Sequence, residues 1–236
     1  MAIKKKYVSP IKGGRQLVIG DVHGCSRTLK ALLEEINLQE NDQLIFVGDY
    51  INKGPDSKGV LDLLIGLRKK NNNVFFIKGN NESYFYKTLK KSGERILKLA
   101  RRYQVEDLFK YEGSKFSLRK RYRKFLKSTY NYIESDAFYV VHAGFDFKSE
   151  IPFYDTYSML WMRNFKANKK RQHFKPVIHG HKITSIKEIR KAVKNQKYDL
   201  PIDNGCVLGK KNRNYGRLLC LDFSNNKLIE QENVEV

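Results

Sequence analysis

Three times in its first third, the chain runs from a short apolar β-type stretch through a Gly-bearing polar turn into an amphipathic helical stretch. The β-type runs are residues 16–19, 43–47 and 74–77, and the helical runs are residues 29–36, 60–67 and 83–89. Strand and helix in strict alternation imply parallel pairing through helical crossovers, which makes the fold α/β. The same pattern marks out a place for chemistry. The turns Gly20-Asp21-Val22-His23-Gly24, Gly48-Asp49-Tyr50 and Gly79-Asn80-Asn81-Glu82 all follow the carboxyl ends of strands, the edge at which open α/β sheets bind ligands.

The remainder is less regular. Residues 92–132 have helical periodicity and heavy basic charge, and are expected to form a helical insertion or cap on the same domain. A strand is expected at 137–141 and a short helix at 158–165. Short strands at 176–178, 200–202 and 217–223 suggest an antiparallel second half of the sheet system. Ser26 and Ser57 are the expected N-caps of the first two helices. No internal repeat or low-complexity linker divides the 236 residues, so one domain over 1–236 is expected.

Forty-six Lys and Arg against 25 Asp and Glu give a net charge of +21. Such an excess suits a polyanionic neighbour: a phosphorylated substrate, nucleic acid or an acidic membrane face. Charge alone does not choose among them, and a Lys- and Asn-rich composition can also follow genome base content. No apolar run approaches the roughly 20 residues of a spanning helix, and the first ten residues lack a signal peptide's apolar stretch. A cytoplasmic protein without membrane insertion is therefore expected. Cys25, Cys206 and Cys220 are too few and too scattered for a disulfide framework or a zinc knuckle.

Histidine is the most informative residue type. Of five, four sit in strand-end turns: His23, His142 in Val141-His142-Ala143-Gly144, and His179 and His181 in Ile178-His179-Gly180-His181. Any one of them is most simply a hydrogen-bonded turn residue. Four of them alongside Asp21, Asp49 and Asn80 make a mixed nitrogen and oxygen donor set, suited to Mn, Fe or Zn rather than Ca or Mg.

In order, Gly20-Asp21-Val22-His23-Gly24, Gly48-Asp49-Tyr50-Ile51-Asn52-Lys53-Gly54, Gly79-Asn80-Asn81-Glu82, His142-Ala143-Gly144 and Gly180-His181 resemble the five blocks of the calcineurin-like metallophosphoesterases, closest to compact bacterial and phage-type phosphoprotein phosphatases. Ile202-Asp203-Asn204-Gly205 is similar to a later family segment. The resemblance implies a sandwich of mixed β-sheets flanked by helices and a centre of two divalent cations, Mn foremost, with Fe or Zn as alternatives. It implies Asp21 and His23 on the first ion, Asp49 bridging, and Asn80, His142 and His181 on the second. It further implies hydrolysis of phosphate esters or anhydrides by metal-activated water. Arg163, in Trp161-Met162-Arg163, would grip the substrate phosphate together with Lys53 and Asn80.

The chain departs from the family pattern at one functional unit. The family has Asp-Arg where Asn52-Lys53 stand here, and a proton-donating His where Asn81 stands. An amide does not titrate near neutral pH, so Asn81 is no general acid. Two readings follow: an enzyme that favours good leaving groups, with Asp49, Asn81 and Asn52 at the reaction centre, or a weak pseudo-phosphatase that binds a phosphorylated or nucleic-acid partner. For nucleic acid the candidate is residues 115–127, where basic residues interleave with Phe116, Tyr122 and Phe125; an amphipathic cap helix explains the same spacing. His179 is expected near the ligands, His173 at the surface, and Glu82 on a helix rather than on a metal.

Overall fold

The three apolar runs form β2 (Gln16–Ile19), β3 (Gln43–Phe46) and β4 (Val74–Phe76) in the computed structural model, which describes residues 3–89, 93–113, 115–211 and 213–235. They pair in parallel, with α1 (Ser26–Ile36) and α2 (Ser57–Lys70) as crossovers and α3 (Asn80–Thr88) after β4. Their near-continuous apolar character reflects burial on both faces. Leu17, Ile19, Leu44 and Phe46 pack on Leu29 and Leu32 of α1 and on Val60, Leu61 and Leu64 of α2. Val18, Ile45 and Val47 point the other way, into a second sheet. Two antiparallel strands, β11 (Arg217–Asp222) beside β2 and β12 (Lys227–Glu232) beyond it, complete the first sheet.

The second sheet has the order β1 (Lys5–Val8), β7 (Tyr132–Ser135), β8 (Tyr139–Val141), β9 (Val177–His179), β10 (Asp199–Pro201). Its Ile133, Val140 and Ile178 meet the inner face of the first sheet, giving the helix-flanked sandwich of mixed sheets. The antiparallel expectation for this half is corrected in part. β9 pairs in parallel with both β8 and β10, and α7 (Ile186–Lys194) is the crossover between β9 and β10. Only β7 with β8 is antiparallel within this sheet. Strands of three residues are too short to carry a periodicity, so their direction was not legible.

The stretch 92–132 is not uniformly helical. Ser92 and Ser114 lie outside the described residues; around them run α4 (Gly93–Arg102), a hairpin of β5 (Phe109–Glu112) and β6 (Lys115–Leu118), α5 (Lys120–Ser128) and then β7. Phe116 and Leu118 share a spacing with α5 but belong to β6, where Phe116 stacks on Phe109 across the hairpin at 4.3 Å. Tyr122, Phe125 and Leu126 of α5 are buried, with Phe125 edge-on to Phe76 at 5.0 Å and to Tyr50 at 5.7 Å. The apolar face of the basic segment therefore clamps the sheet edge.

Both helix-cap expectations are also corrected. Asp56 caps α2, accepting from the Gly59 amide at 2.7 Å, and its second oxygen accepts from Ser26 Oγ at 2.6 Å. Ser57 instead accepts from the Asn52 amide at 3.1 Å, and α1 begins after Cys25 without a side-chain cap. The short helix expected at 158–165 is α6 (Thr156–Trp161). No helix among the described residues is long and apolar enough to cross a membrane.

Candidate metal centre

The turns after β2, β3, β4, β8 and β9 converge on one buried point. Asp21, His23 and Asp49 form one triad, and Asp49, His142 and His181 another, with donor atoms in each mutually within 4.8 Å. Asp49 is common to both: its Oδ2 lies 3.4 Å from His23 Nε2 and its Oδ1 3.6 Å from His142 Nε2. Asn80 Oδ1 closes the second group, 2.9 Å from His142 Nε2 and 3.1 Å from His181 Nδ1. All six ligands implied by the resemblance thus meet.

Close packing of these turns demands unusual backbone. His23, Asp49, Asn52, Lys53 and His181 all have positive φ (46°, 51°, 76°, 74° and 67°), a conformation costing a side-chain-bearing residue about 1–3 kcal/mol and concentrated at functional sites. Two glycines make room: a Cβ on Gly180 would lie 1.9 Å from Asp21 Oδ1, and one on Gly79 2.2 Å from Asp49 Oδ1.

The donors fit divalent cations. Asp21 Oδ1 and His181 Nε2 are buried with no hydrogen-bond partner among the described residues, a costly arrangement unless something accepts their lone pairs. Burial lowers the pKa of His23 and of His142, and burial with the neighbouring His142 pushes His181 down to about 4. Burial thus disfavours the protonated form of each imidazole, and the neutral form is the one that ligates. His142 Nδ1 donates to the Val47 carbonyl at 3.1 Å, leaving Nε2 free to ligate. Negative charge is in excess: burial, then Asp203 and Asp49, drive Asp21 well above the usual carboxylate range, and burial takes Asp203 up to about 6. Burial also opposes ionisation of Asp49, but His142, His23 and two bonds from Asn81 hold it below the ordinary value.

Around this centre the altered residues hold definite positions. Asn81 donates its amide N to Asp49 Oδ1 at 3.0 Å and its side-chain Nδ2 to Asp49 Oδ2 at 2.8 Å, while its Oδ1 accepts from Asn52 Nδ2 at 2.8 Å. Lys53 Nζ is 3.0 Å from His23 Nε2. Arg163 is exposed at the rim, near enough for its charge to help depress His181, and Trp161 meets the His181 ring edge-on at 6.4 Å. Asn80, which the resemblance assigns both to the second ion and to the phosphate grip, joins the ligand cluster through its Oδ1.

Glu82 does more than sequence reading gave it. It is 1% exposed and accepts from four backbone amides: Asp49 (2.9 Å), Tyr50 (2.9 Å), Ile51 (3.2 Å) and Gly79 (3.0 Å). It ties the second turn to the third and so sets the backbone carrying Asp49. The available signal was an acid three residues after a helix-starting glycine. His179, expected near the ligands, bonds instead to Asp199 at 2.9 Å and packs on Phe165, because it ends β9 before the chain turns at Gly180. His173 is exposed and stacks on Phe153.

Five strand-end turns on a two-sheet sandwich thus bring together two donor triads that share Asp49. The family model for calcineurin-like phosphoesterases matches residues 14–203, and the chain belongs to that family. Among curated relatives, the symmetrical bis(5'-nucleosyl)-tetraphosphatase of Wigglesworthia glossinidia brevipalpis is 42% identical over 66 residues, 28% of this chain and 23% of that protein. The asymmetrical bis(5'-nucleosyl)-tetraphosphatase of Oceanobacillus iheyensis is 37% identical over 79 residues, 30% of this chain and 31% of that protein. The matched stretches thus span a third or less of these relatives. A crystal structure described as a "putative diadenosine tetraphosphatase" superposes with TM-score 0.68 at 23% identity, covering 97% of both chains, which shows the shared fold.

Proposed function

We propose that the chain is a dinuclear metal hydrolase that cleaves phosphoanhydrides, dinucleoside tetraphosphates foremost, in preference to alkyl phosphomonoesters. The observation that carries this reading is the use made of Asn81. Both its nitrogens are spent on Asp49, and its oxygen on Asn52. Nothing at this position delivers a proton to a departing alkoxide, whereas a phosphate leaving group departs as an anion without one. The names of the curated relatives support an anhydride substrate.

Bound cations, with Mn²⁺ the proposed pair, would supply Lewis acidity that lowers the pKa of a water and neutralises phosphoryl oxygens. Asp21, His23, Asp49, Asn80, His142 and His181 would hold them. Arg163 at the rim would take two non-bridging oxygens with its planar fork. Lys53, whose Nζ lies 3.0 Å from His23 Nε2, would add positive charge beside the first donor triad. Asn81 fixes the plane of the Asp49 carboxylate, and Glu82 fixes the backbone beneath it. The strong net positive charge would draw the polyanion in, and a cytoplasmic setting suits three free buried cysteines.

The Mn²⁺-loaded protein is expected to hydrolyse diadenosine tetraphosphate and p-nitrophenyl phosphate while leaving a phosphoserine peptide nearly untouched, and Asp49→Asn is expected to abolish both activities. Equal rates for wild type and Asp49→Asn would sink the reading and favour the pseudo-phosphatase.

A further inference from the structure

We propose that the cleft beside the metal centre, between α7 and the segment after α6, is the binding site for the part of the substrate beyond the scissile bond: a polyphosphate chain ending in a nucleoside. The proposal rests on the hydrolase reading above and adds a separate site with its own residues. The cleft has a volume of about 560 Å³ and is walled by Arg163, Lys182, Lys191 and Lys197. That size lies within the roughly 300–1,000 Å³ of small-molecule sites.

The charge of this cleft is net positive, with Arg163, Lys182, Lys191 and Lys197 outnumbering Glu188 and Asp199. None of those four cationic heads forms an ion pair or hydrogen bond among the described residues, although elsewhere on the molecule arginines are paired, as in Arg15 with Asp42 and Arg190 with Glu230. The two acids that share the cleft each have a hydrogen-bond partner of their own. Glu188 accepts from Ser185 Oγ at 2.7 Å and Asp199 bonds His179 Nε2 at 2.9 Å. Four cations against two carboxylates leave a net positive concavity, complementary to more than one phosphate.

The cleft also adjoins the reaction centre. Lys182 follows the ligand-set residue His181 directly, and His179, two residues earlier, lines the cleft floor. Arg163 is shared: it lines the cleft and its charge acts on His181. A phosphate held at Arg163 would therefore have its next phosphates within reach of Lys182, with Lys191 and Lys197 further along α7 and its following turn. Met162, Phe165 and Ile183 supply apolar lining for a base. A short monoester such as p-nitrophenyl phosphate has nothing to place there.

The test is the double variant Lys191→Gln/Lys197→Gln, whose side chains are exposed and outside the ligand set. With the Mn²⁺-loaded full chain, two quantities are read: calorimetric Kd for a methylene-bridged, hydrolysis-resistant diadenosine tetraphosphate, and steady-state KM for diadenosine tetraphosphate and for p-nitrophenyl phosphate. The variant is expected to raise Kd and the dinucleotide KM roughly tenfold, with a shallower salt dependence, while p-nitrophenyl phosphate kinetics stay within about twofold, which also shows an intact fold. An unchanged Kd and dinucleotide KM in an active enzyme overturn the cleft assignment and leave the hydrolase reading standing. A lysine-dependent Kd in a protein that hydrolyses nothing supports the cleft and overturns the hydrolase reading.

Discussion

Asn81 grips Asp49 at both ends, its backbone amide on Oδ1 at 3.0 Å and its side-chain amide on Oδ2 at 2.8 Å. A residue that aligns the carboxylate common to both donor triads is a positioning group, and an amide in that place does not titrate near neutral pH. The double change Asn81→His/Asn52→Asp should restore the donor. We expect kcat on phosphoserine peptide to rise by about 10²-fold, the low end of general acid catalysis, with anhydride turnover changed far less. Parallel assays of the two substrate types check this, and an equal rise on both would contradict the leaving-group argument.

Glu82 accepts four amide hydrogens while almost fully buried. Glu82→Ala would leave them unsatisfied, at about 1–3 kcal/mol for each buried donor that finds no water. A loss of several kcal/mol is expected from denaturant melts, together with weaker Mn²⁺ binding as the Asp49 turn relaxes. Glu82→Gln keeps one acceptor oxygen and should fall between.

Metal and pH are linked through these buried groups. His181 is pushed down to about 4 from an ordinary 6.5, so the unfolded chain binds more protons between those values. Its contribution to stability is present above about 6.5 and is lost as pH falls towards 4. Glu82 behaves oppositely. Burial and Asp49 raise it to about 8 from 4.5, so metal-free stability falls as pH rises across that interval. Cations offset the accumulated negative charge, and the rise in Tm on adding Mn²⁺ should be larger at pH 8 than at pH 6, as differential scanning fluorimetry would show. A larger rise at pH 6 would contradict this account.

Arg163 reaches the rim without a partner among the described residues. Arg163→Ala should lower kcat/KM by about 10–100-fold, the loss of a bidentate charge-assisted contact, with Tm unchanged because the side chain is exposed. Arg163→Lys should recover only part, since an ammonium lacks the planar fork. Full recovery by Lys would reduce its role to charge alone.

The candidate ligands were legible because their short Gly-bordered turns follow apolar runs and resemble, in order, the family's blocks. The parallel core was legible for the same reason: Leu17, Val18 and Ile19 are buried on both faces and read as an unbroken apolar run. The hairpin at Phe109 and Phe116 was not legible, since its spacing mimics a helix and its partners are neighbouring aromatics. The direction of β9 and β10 was hidden by their three-residue length, and the role of Glu82 by its ordinary place in a first helical turn.

By itself, then, the sequence determined an α/β chain with Asp21, His23, Asp49, Asn80, His142 and His181 in polar turns after apolar runs and an amide at Asn81, because residue type and local spacing are properties of the chain alone. Only the tertiary structure decided that Asn81 and Asn52 serve Asp49, that Glu82 joins two turns, and that Arg163, Lys182, Lys191 and Lys197 surround one cleft. Those relations join residues tens of positions apart, and they exist only once two sheets have packed and brought their strand ends together.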